Sequence, residues 1–252
     1  MAFAGIGTND RGVMMARYGL ARHVFVCADE EYVVVLDVKQ DRYFTLEAAR
    51  TAALAPLLPG WPARLAGGSS GDGPELTADE AAAPLLRQGW LLELPAASKE
   101  ATPVRLTSPQ TELLGDTATE SSRIGVRAVL NFVFAAVFAK LSLRFWRFER
   151  LIRRVAARKS AHPGGGSFDV ARSRQLVDVF GRLRVFLFSH REECLHDSLA
   201  LLEFLARYEV LPRWVFGVRA RPFVAHCWVQ YEDIVFNDTV EHVASYTPIM
   251  VV

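Results

Sequence analysis

The chain has 252 residues, 51% hydrophobic and 23% charged, a globular composition with enough apolar material for one large domain or two small ones. With 29 basic against 28 acidic residues, its formal net charge of +1 gives no general electrostatic reason to expect nucleic acid or an anionic surface as partner. Three cysteines (Cys27, Cys194 and Cys227), odd in number and in unlike contexts, argue against a disulfide framework and leave reduced thiols for chemistry.

The opening stretch "MAFAGIGTNDRGVMMARYGLARHVFVC" lacks the apolar core and small-residue cleavage site of a signal peptide, so the reading is an unexported, cytoplasmic protein. From Arg22 the text is extended: "RHVFVCA", "EYVVVLDV" and "RYFTLE" are rich in Val, Tyr and Phe and are joined by turn-length polar links, which predicts a three-stranded antiparallel meander. Helical text follows. "EAARTAALAPLL" is stopped by Pro59-Gly60, and "TADEAAAPLLRQGWLLEL" opens with the Thr77 to Glu80 spacing of a capping box.

Residues 96–122 are polar, Pro-punctuated and without period, and read as a linker between a first domain at 18–95 and a second at 123–252. A long helical segment is predicted at about 124–158. Its apolar part, "AVLNFVFAAVFAKLSLRFW", is interrupted by Asn131 and Lys140, and the uninterrupted portion falls well short of the roughly 20 residues of a spanning helix, so the expectation is a buried core helix. The competing reading is a docking or membrane-surface face, because the basic tail "RFWRFERLIRRVAARK" suits snorkelling at an interface. Further helix is predicted from Val170, then the helix of "REECLHDSLALLEFLARY", and the extended runs "PRWVFGVRA", "FVAHCWVQYE" and "IVFND".

On the helix of residues 191–208, Cys194 shares a face with Ser198, Leu201 and Leu205, at the border of the core. A thiol there can simply pack. A helix N-terminus would favour its thiolate, but Ser189 and Glu192 have capping-box spacing that would put Cys194 in the second turn, so activation has to come mainly from a base elsewhere. His226 is that candidate. Strand alternation sets His226, Trp228 and Gln230 on one face and turns Cys227 to the other, away from the site, while Asp238 on the next extended run approaches His226 across a hairpin. Cysteine, histidine and aspartate on helix, strand and strand make a papain- or transglutaminase-like order in which the carboxylate fixes the imidazole. Zinc is the weaker rival: His190, Cys194, His196, His226 and Cys227 are donors, but no C-x-x-C is present. His23, His162 and His242 read as structural or solvent-facing, and no phosphate-binding loop occurs.

"CLHDSLALLEFLARYEVLPRWVFGVRARPFVAHCWVQYEDIVFND" closely resembles the C-terminal domain of lasso-peptide biosynthesis B proteins, the microcin-type leader peptidases with a transglutaminase-like fold. The features that carry it are C-L-x-x-S-L-A-L, G-V-R-x-x-P-F-x-A-H-x-W-V and the final N-D. The resemblance implies Cys194 as nucleophile, His226 as general base then acid, and Asp238 as orienting acid. Two departures stand out: Cys227 where such proteins often have Ala, and Glu209 where Gly is usual after the helix.

The N-terminal pattern, on "YVVVLDVKQDRYFTLEAA" with D-x-x-x-x-x-Y-F-x-L, looks like the leader-recognition element of the same family, a winged-helix-like domain similar to the pyrroloquinoline-quinone D proteins. The implied fold class is α+β: a winged-helix-like domain with a three-stranded antiparallel sheet, then a papain/transglutaminase-like domain. Leader capture by strand addition would use Asp41, Arg42, Tyr43, Phe44, Thr45 and Leu46, with side-chain pockets shared with Leu85 and Leu86. The implied partners are the precursor peptide and a separate asparagine-synthetase-like, ATP-using lasso cyclase. No cofactor, metal or nucleic acid is expected, and membrane association is the less favoured reading. A thiol acyltransferase and a non-catalytic precursor-delivery module are the alternatives.

Overall fold

The computed structural model describes residues 17–30, 32–62, 76–94, 97–113, 124–161, 168–185 and 194–252. Its first strand, β1 (Tyr18–Leu20), pairs antiparallel with β5 (Leu91–Glu93) and so ties together the two ends of the N-terminal unit. Between them lies the expected meander of β2 (Val24–Asp29), β3 (Tyr32–Asp37) and β4 (Arg42–Leu46), in the sheet order β2-β3-β4. The β3–β4 turn is held by Asp37, whose carboxylate accepts from the N–H groups of Lys39 and Gln40 and, at 2.8 Å, from Trp90 Nε1. The aspartate of the D-x-x-x-x-x-Y-F motif is therefore a turn and core residue.

Helix α1 (Ala48–Leu54) runs into a single 3-10 turn at Ala55–Leu57, and α2 (Ala78–Arg87) starts at the anticipated capping box, with Thr77 and Glu80 satisfying each other's main-chain N–H. Both helices cover one face of the meander, where Val33, Val35, Leu46, Leu54, Trp61, Leu85 and Trp90 are buried together. The other face is also covered. Cys27, Val34 and Leu36 belong to the core of the C-terminal half, alongside Phe204, Trp214 and Phe216, which explains why β3 reads as an unbroken apolar run rather than an alternating one.

The two halves are thus packed on each other. Asp29 at the end of β2 accepts 2.5 Å hydrogen bonds from the Ala220 N–H and the Thr247 hydroxyl of the C-terminal half. The expected linker also departs from a free tether over its described part. Lys99 and Leu20 exchange 2.8 Å main-chain hydrogen bonds, Ala101 donates to the Pro59 carbonyl, and residues Thr111–Glu112 form β6. A tether needs no partners; these residues have them in both halves.

The C-terminal half begins with two helices, α3 (Val126–Phe145) and α4 (Phe148–Ser160), where one long helix was expected. The buried positions of α3 end at Ser142 and those of α4 begin at Phe148, six residues on and out of phase with a straight helix, so the chain turns at the extended residues Trp146 and Arg147. The buried-core reading of α3 needs correction. Only Phe132, Ala135, Ala136, Ala139 and Ser142 are buried, while the opposite side carries exposed Val, Leu and Phe. α5 (Val170–Arg184) and α6 (Cys194–Ala206) follow. The small residues of α3 let α6 lie close against it, and the middle of α6, from Ser198 to Leu205, is wholly buried.

The sheet that receives α6 has the order β10-β7-β8-β9-β6, with β7 (Arg213–Arg219), β8 (Val224–Tyr231), β9 (Ile234–Val235) and β10 (Thr247–Val251). All its neighbours are antiparallel except β6, which joins β9 in parallel. A short helix, α7 (Val240–Ala244), connects β9 to β10. The architecture is α+β, an antiparallel three-stranded sheet with helices followed by a helix-plus-sheet half, consistent with a transglutaminase-like fold.

Candidate active site

β7 pairs with β8 along its whole length, from Arg213 opposite Gln230 to Arg219 opposite Val224. With β9, β8 pairs only at Gln230 and Tyr231. Residues 226–229 therefore have one edge without a strand partner, and this edge is where the polar groups collect. The Val229 N–H donates to Asn237 Oδ1 at 2.8 Å, and the Cys227 carbonyl accepts from Ser198 Oγ of α6 at 3.1 Å. By strand parity the N–H of Cys227 points the same way as that of Val229, and it donates to Cys194. α6 thus closes the open edge of β8 with its thiol end, and Ser198, one turn after Cys194, holds it there.

This placement lets three groups of one strand meet a single sulfur. His226 reaches Cys194 from one face of the sheet, Cys227 from the other, and the Cys227 main chain from between them. The expectation that Cys227 turns away from the site is corrected: its side chain does lie on the opposite face from His226, but α6 sits at the edge, where both faces are accessible. Cys227 is buried, and its thiol donates to Ser198 Oγ at 3.8 Å and interacts electrostatically with Cys194.

The third member arrives as the hairpin reading expected. The β8–β9 turn at Glu232 and Asp233 carries Asp238 back, and its Oδ2 lies 2.5 Å from His226 Nε2. With Nε2 engaged there, Nδ1 is the nitrogen facing the thiol. Both side chains are mostly shielded, 14% exposed for His226 and 16% for Asp238. The fold thus brings Cys194, His226 and Asp238 together, with His226 hydrogen-bonded to Asp238 and interacting electrostatically with the Cys194 sulfur, and Cys194 is the first residue of the described part of α6. The capping box on Ser189 and Glu192 lies outside the described residues, as do His162 and His190.

The electrostatics follow from these contacts. The Cys227 hydrogen bonds and His226 outweigh burial and bring the Cys194 thiol down from its ordinary 9.0 to about 4. Burial opposes charge on His226, yet the hydrogen bonds to Asp238 and Cys194 carry its imidazolium up to about 9. Asp238 is lowered, against burial, by His226, the Thr239 N–H and His242. Cys227 is pushed well up, first by burial and then by its thiolate neighbour. Between these limits the site holds a thiolate–imidazolium pair.

Several side chains were missed from sequence. His242, read as structural or solvent-facing, places Nδ1 2.9 Å from Asp238 Oδ1, while its Nε2 lies 3.3 Å from the Tyr246 hydroxyl. Asp238 therefore has an imidazole on each side. The signal was the i,i+4 spacing of Asp238 and His242 around a Thr239 cap, visible only once α7 is known to be helical. Asn237 joins the two halves of the site, donating to Asp197 Oδ2 at 3.1 Å and to Ser198 Oγ at 3.0 Å, and Arg184 neutralises Asp197 from 3.1 Å. Ser198 and Asn237 are the serine of C-L-x-x-S and the asparagine of the final N-D.

The zinc set does not converge among the described residues, because His196 faces α3 with Nε2 3.2 Å from the Ala136 carbonyl. His226, Asp238 and His242 do bring donor atoms within 4.8 Å of one another, and the hydrogen bonds just described account for that cluster.

Residues 135–251 match the family model of the transglutaminase-like superfamily. This part of the chain is similar to the transglutaminase-like superfamily. The match spans the second half of α3, α4 to α7 and β7 to β10, so it covers every residue of the thiol site. Comparisons with curated proteins and with solved structures find no match. The similarity supports cysteine chemistry of the peptidase or acyl-transfer kind.

The strand expected to take a leader, β4, is an edge strand, and among the described residues no strand pairs with its outer side. Asp41, in the left-handed turn before it at φ +53°, and Arg42 and Thr45 are exposed. Phe44 is half-buried with its ring 4.7 Å from Trp90, and Leu86 is half-buried beside the same core. Leu46 and Leu85 are core residues, 7% and 3% exposed, and so do not line an open pocket. Tyr43 turns to the C-terminal half, where its ring meets Phe223 at 5.7 Å and its phenol is raised by burial and then by Cys227, Asp41 and Cys194.

Proposed function

We propose that this chain is a cysteine peptidase that binds the leader of a lasso-peptide precursor through its N-terminal sheet and cleaves leader from core with Cys194. The observation that carries the reading is the convergence of the Cys194 sulfur, the His226 imidazole and the Asp238 carboxylate, with His226 hydrogen-bonded to Asp238. The thiolate attacks the scissile carbonyl, and the tetrahedral adduct collapses as the imidazolium of His226 gives its proton to the departing amine. His226, now neutral, takes a proton from water as that water attacks the thioester, and thiolate and leader acid are released. Asp238 holds the ring and its charge throughout, without itself taking the proton.

Cys227 and its main-chain N–H keep the sulfur ionised before substrate arrives, a role no sequence pattern announced. β4 supplies the recognition surface: an edge strand offers unpaired main-chain groups to an extended leader, with Arg42, Phe44 and Thr45 along it and Tyr43 directed at the thiol domain. The freed α-amine is then the substrate for a separate ATP-using cyclase.

The test is precursor processing by purified protein, followed by product mass. Cys194→Ala abolishes cleavage and leaves leader binding intact, and the leader fragment carries one added water. A fragment carrying an added amine would establish acyl transfer instead, while unimpaired processing by Cys194→Ala would leave only a delivery role.

A further inference from the structure

Helix α3 is apolar on both sides. Its inner face packs on α6, but Val126, Val129, Leu130, Val133, Phe134, Val137, Leu141 and Phe145 recur at helical spacing on the outer side, between 37% and 76% exposed. Eight large apolar side chains in one row exceed what a solvated helix face tolerates. The helix is long and apolar enough to cross a membrane, yet its inner face is committed to the helix that carries Cys194, so it is placed to lie on a surface rather than to leave the domain.

The rim of this face is cationic. Lys140 to Lys159 contains eight basic residues and one acidic residue, Glu149, which pairs with Arg153 at 3.5 Å; Arg154 and Arg158 are paired with Glu203 of α6, which leaves Lys140, Arg144, Arg147 and Arg150 among the cations of the rim. Guanidinium groups ride on the aromatic margin: Arg207 lies 3.8 Å above the Phe134 ring, Arg154 lies 4.6 Å from Phe138, and Arg150 lies 4.3 Å from Trp146. We infer that α3 and the start of α4 form a docking surface for an anionic lipid bilayer, the outer row of α3 entering the acyl boundary while Arg144, Arg147 and Arg150 meet the headgroups. Charge decides the occupant. An isologous contact with a second copy would set this cationic rim against itself, whereas anionic headgroups complement it. The near-zero net charge of the whole chain conceals this local excess.

The full-length protein is tested by co-sedimentation with vesicles of phosphatidylcholine alone and of phosphatidylcholine with phosphatidylglycerol in equal parts. Binding to the anionic vesicles is expected, weakened by salt and by at least about tenfold in Leu130→Glu/Val133→Glu/Val137→Glu. The double variant Arg147→Glu/Arg150→Glu, which leaves the apolar row intact, weakens it by about tenfold or more. Cys194→Ala binds as the parent does, which separates this surface from the peptidase reading. Failure to bind anionic vesicles, equal binding to neutral ones, or binding unchanged in both variants would overturn the inference. So would a dimer in light scattering that the triple variant dissolves, because the face would then belong to a second copy.

Discussion

Tyr43, on the edge strand of the N-terminal sheet, and Phe223, at the entry to the strand that carries His226, pack ring on ring at 5.7 Å. The edge strand β4 and the thiol site are therefore parts of one packed body. Tyr43→Phe keeps the ring and is expected to preserve both stability and turnover. Tyr43→Ala removes a half-buried aromatic contact and costs about 1–2 kcal/mol. If the contact also aligns the two halves, leader affinity, read by fluorescence anisotropy, holds within about twofold while kcat/KM for precursor cleavage falls about tenfold. A parallel fall in both would mean that Tyr43 serves the leader directly.

The pH dependence follows from the two groups at the sulfur. The productive pair is thiolate with imidazolium, so activity rises as pH passes the Cys194 value of about 4 and falls as it passes the His226 value of about 9. Asp238→Asn removes a carboxylate that supports the imidazolium and moves the alkaline limb to lower pH. Cys227→Ala, which installs the residue usual in the resembling family, removes the largest contribution holding the thiol down and moves the acid limb to higher pH. Iodoacetamide alkylation rates of Cys194 against pH read the acid limb without substrate. An acid limb unmoved in Cys227→Ala would show that the hydrogen bond does not act on the thiol.

Local patterns were legible in the sequence and non-local ones were not. β2, β3 and β4 announce themselves as runs of Val, Tyr and Phe between polar turns, and α2 by its Thr77–Glu80 box. β1 and β5 are three residues each and pair across some seventy residues of chain, β6 is two residues in a Pro-punctuated stretch, and β10 is a terminal run whose partner β7 lies before it. Nothing within such segments marks them as strands, because the partner supplies the stabilisation. The site divides in the same way. Cys194, His226 and Asp238 could be grouped as candidates from residue type and order, but the approach of Cys227 depends on α6 docking at an unpaired strand edge, and that edge exists because β9 is short.

Gly217 faces His226 across the β7–β8 ladder. A Cβ there would fall 2.8 Å from the Trp228 ring and 2.9 Å from Tyr246 Cβ, the two aromatic residues that lie beside His226. The glycine of the G-V-R motif is thus a space requirement. Gly217→Ala is expected to cost about 1–3 kcal/mol in denaturant unfolding and to lower kcat more than it raises KM, because the displaced rings move the imidazole rather than the leader strand. A variant with parental stability and turnover would show that the rings have room to shift.

Glu209 marks the opposite case, a position where glycine is absent and the backbone asks for it. The residue closes α6 at φ +63°, with the Glu209 N–H donating to the Ala206 carbonyl and the Val210 N–H reaching the Leu205 carbonyl, both at 3.2 Å. This is the left-handed turn that ends many helices and that favours glycine. A non-glycine residue held there costs about 1–2 kcal/mol, part of which glycine would give back through its greater freedom in the unfolded chain. Glu209→Gly is therefore expected to raise stability by about 0.5–1 kcal/mol, read as a higher denaturation midpoint at unchanged m-value. Turnover should stay constant, because Glu209 lies at the end of α6 remote from Cys194. A lower midpoint would show that the glutamate side chain contributes more than its backbone conformation costs.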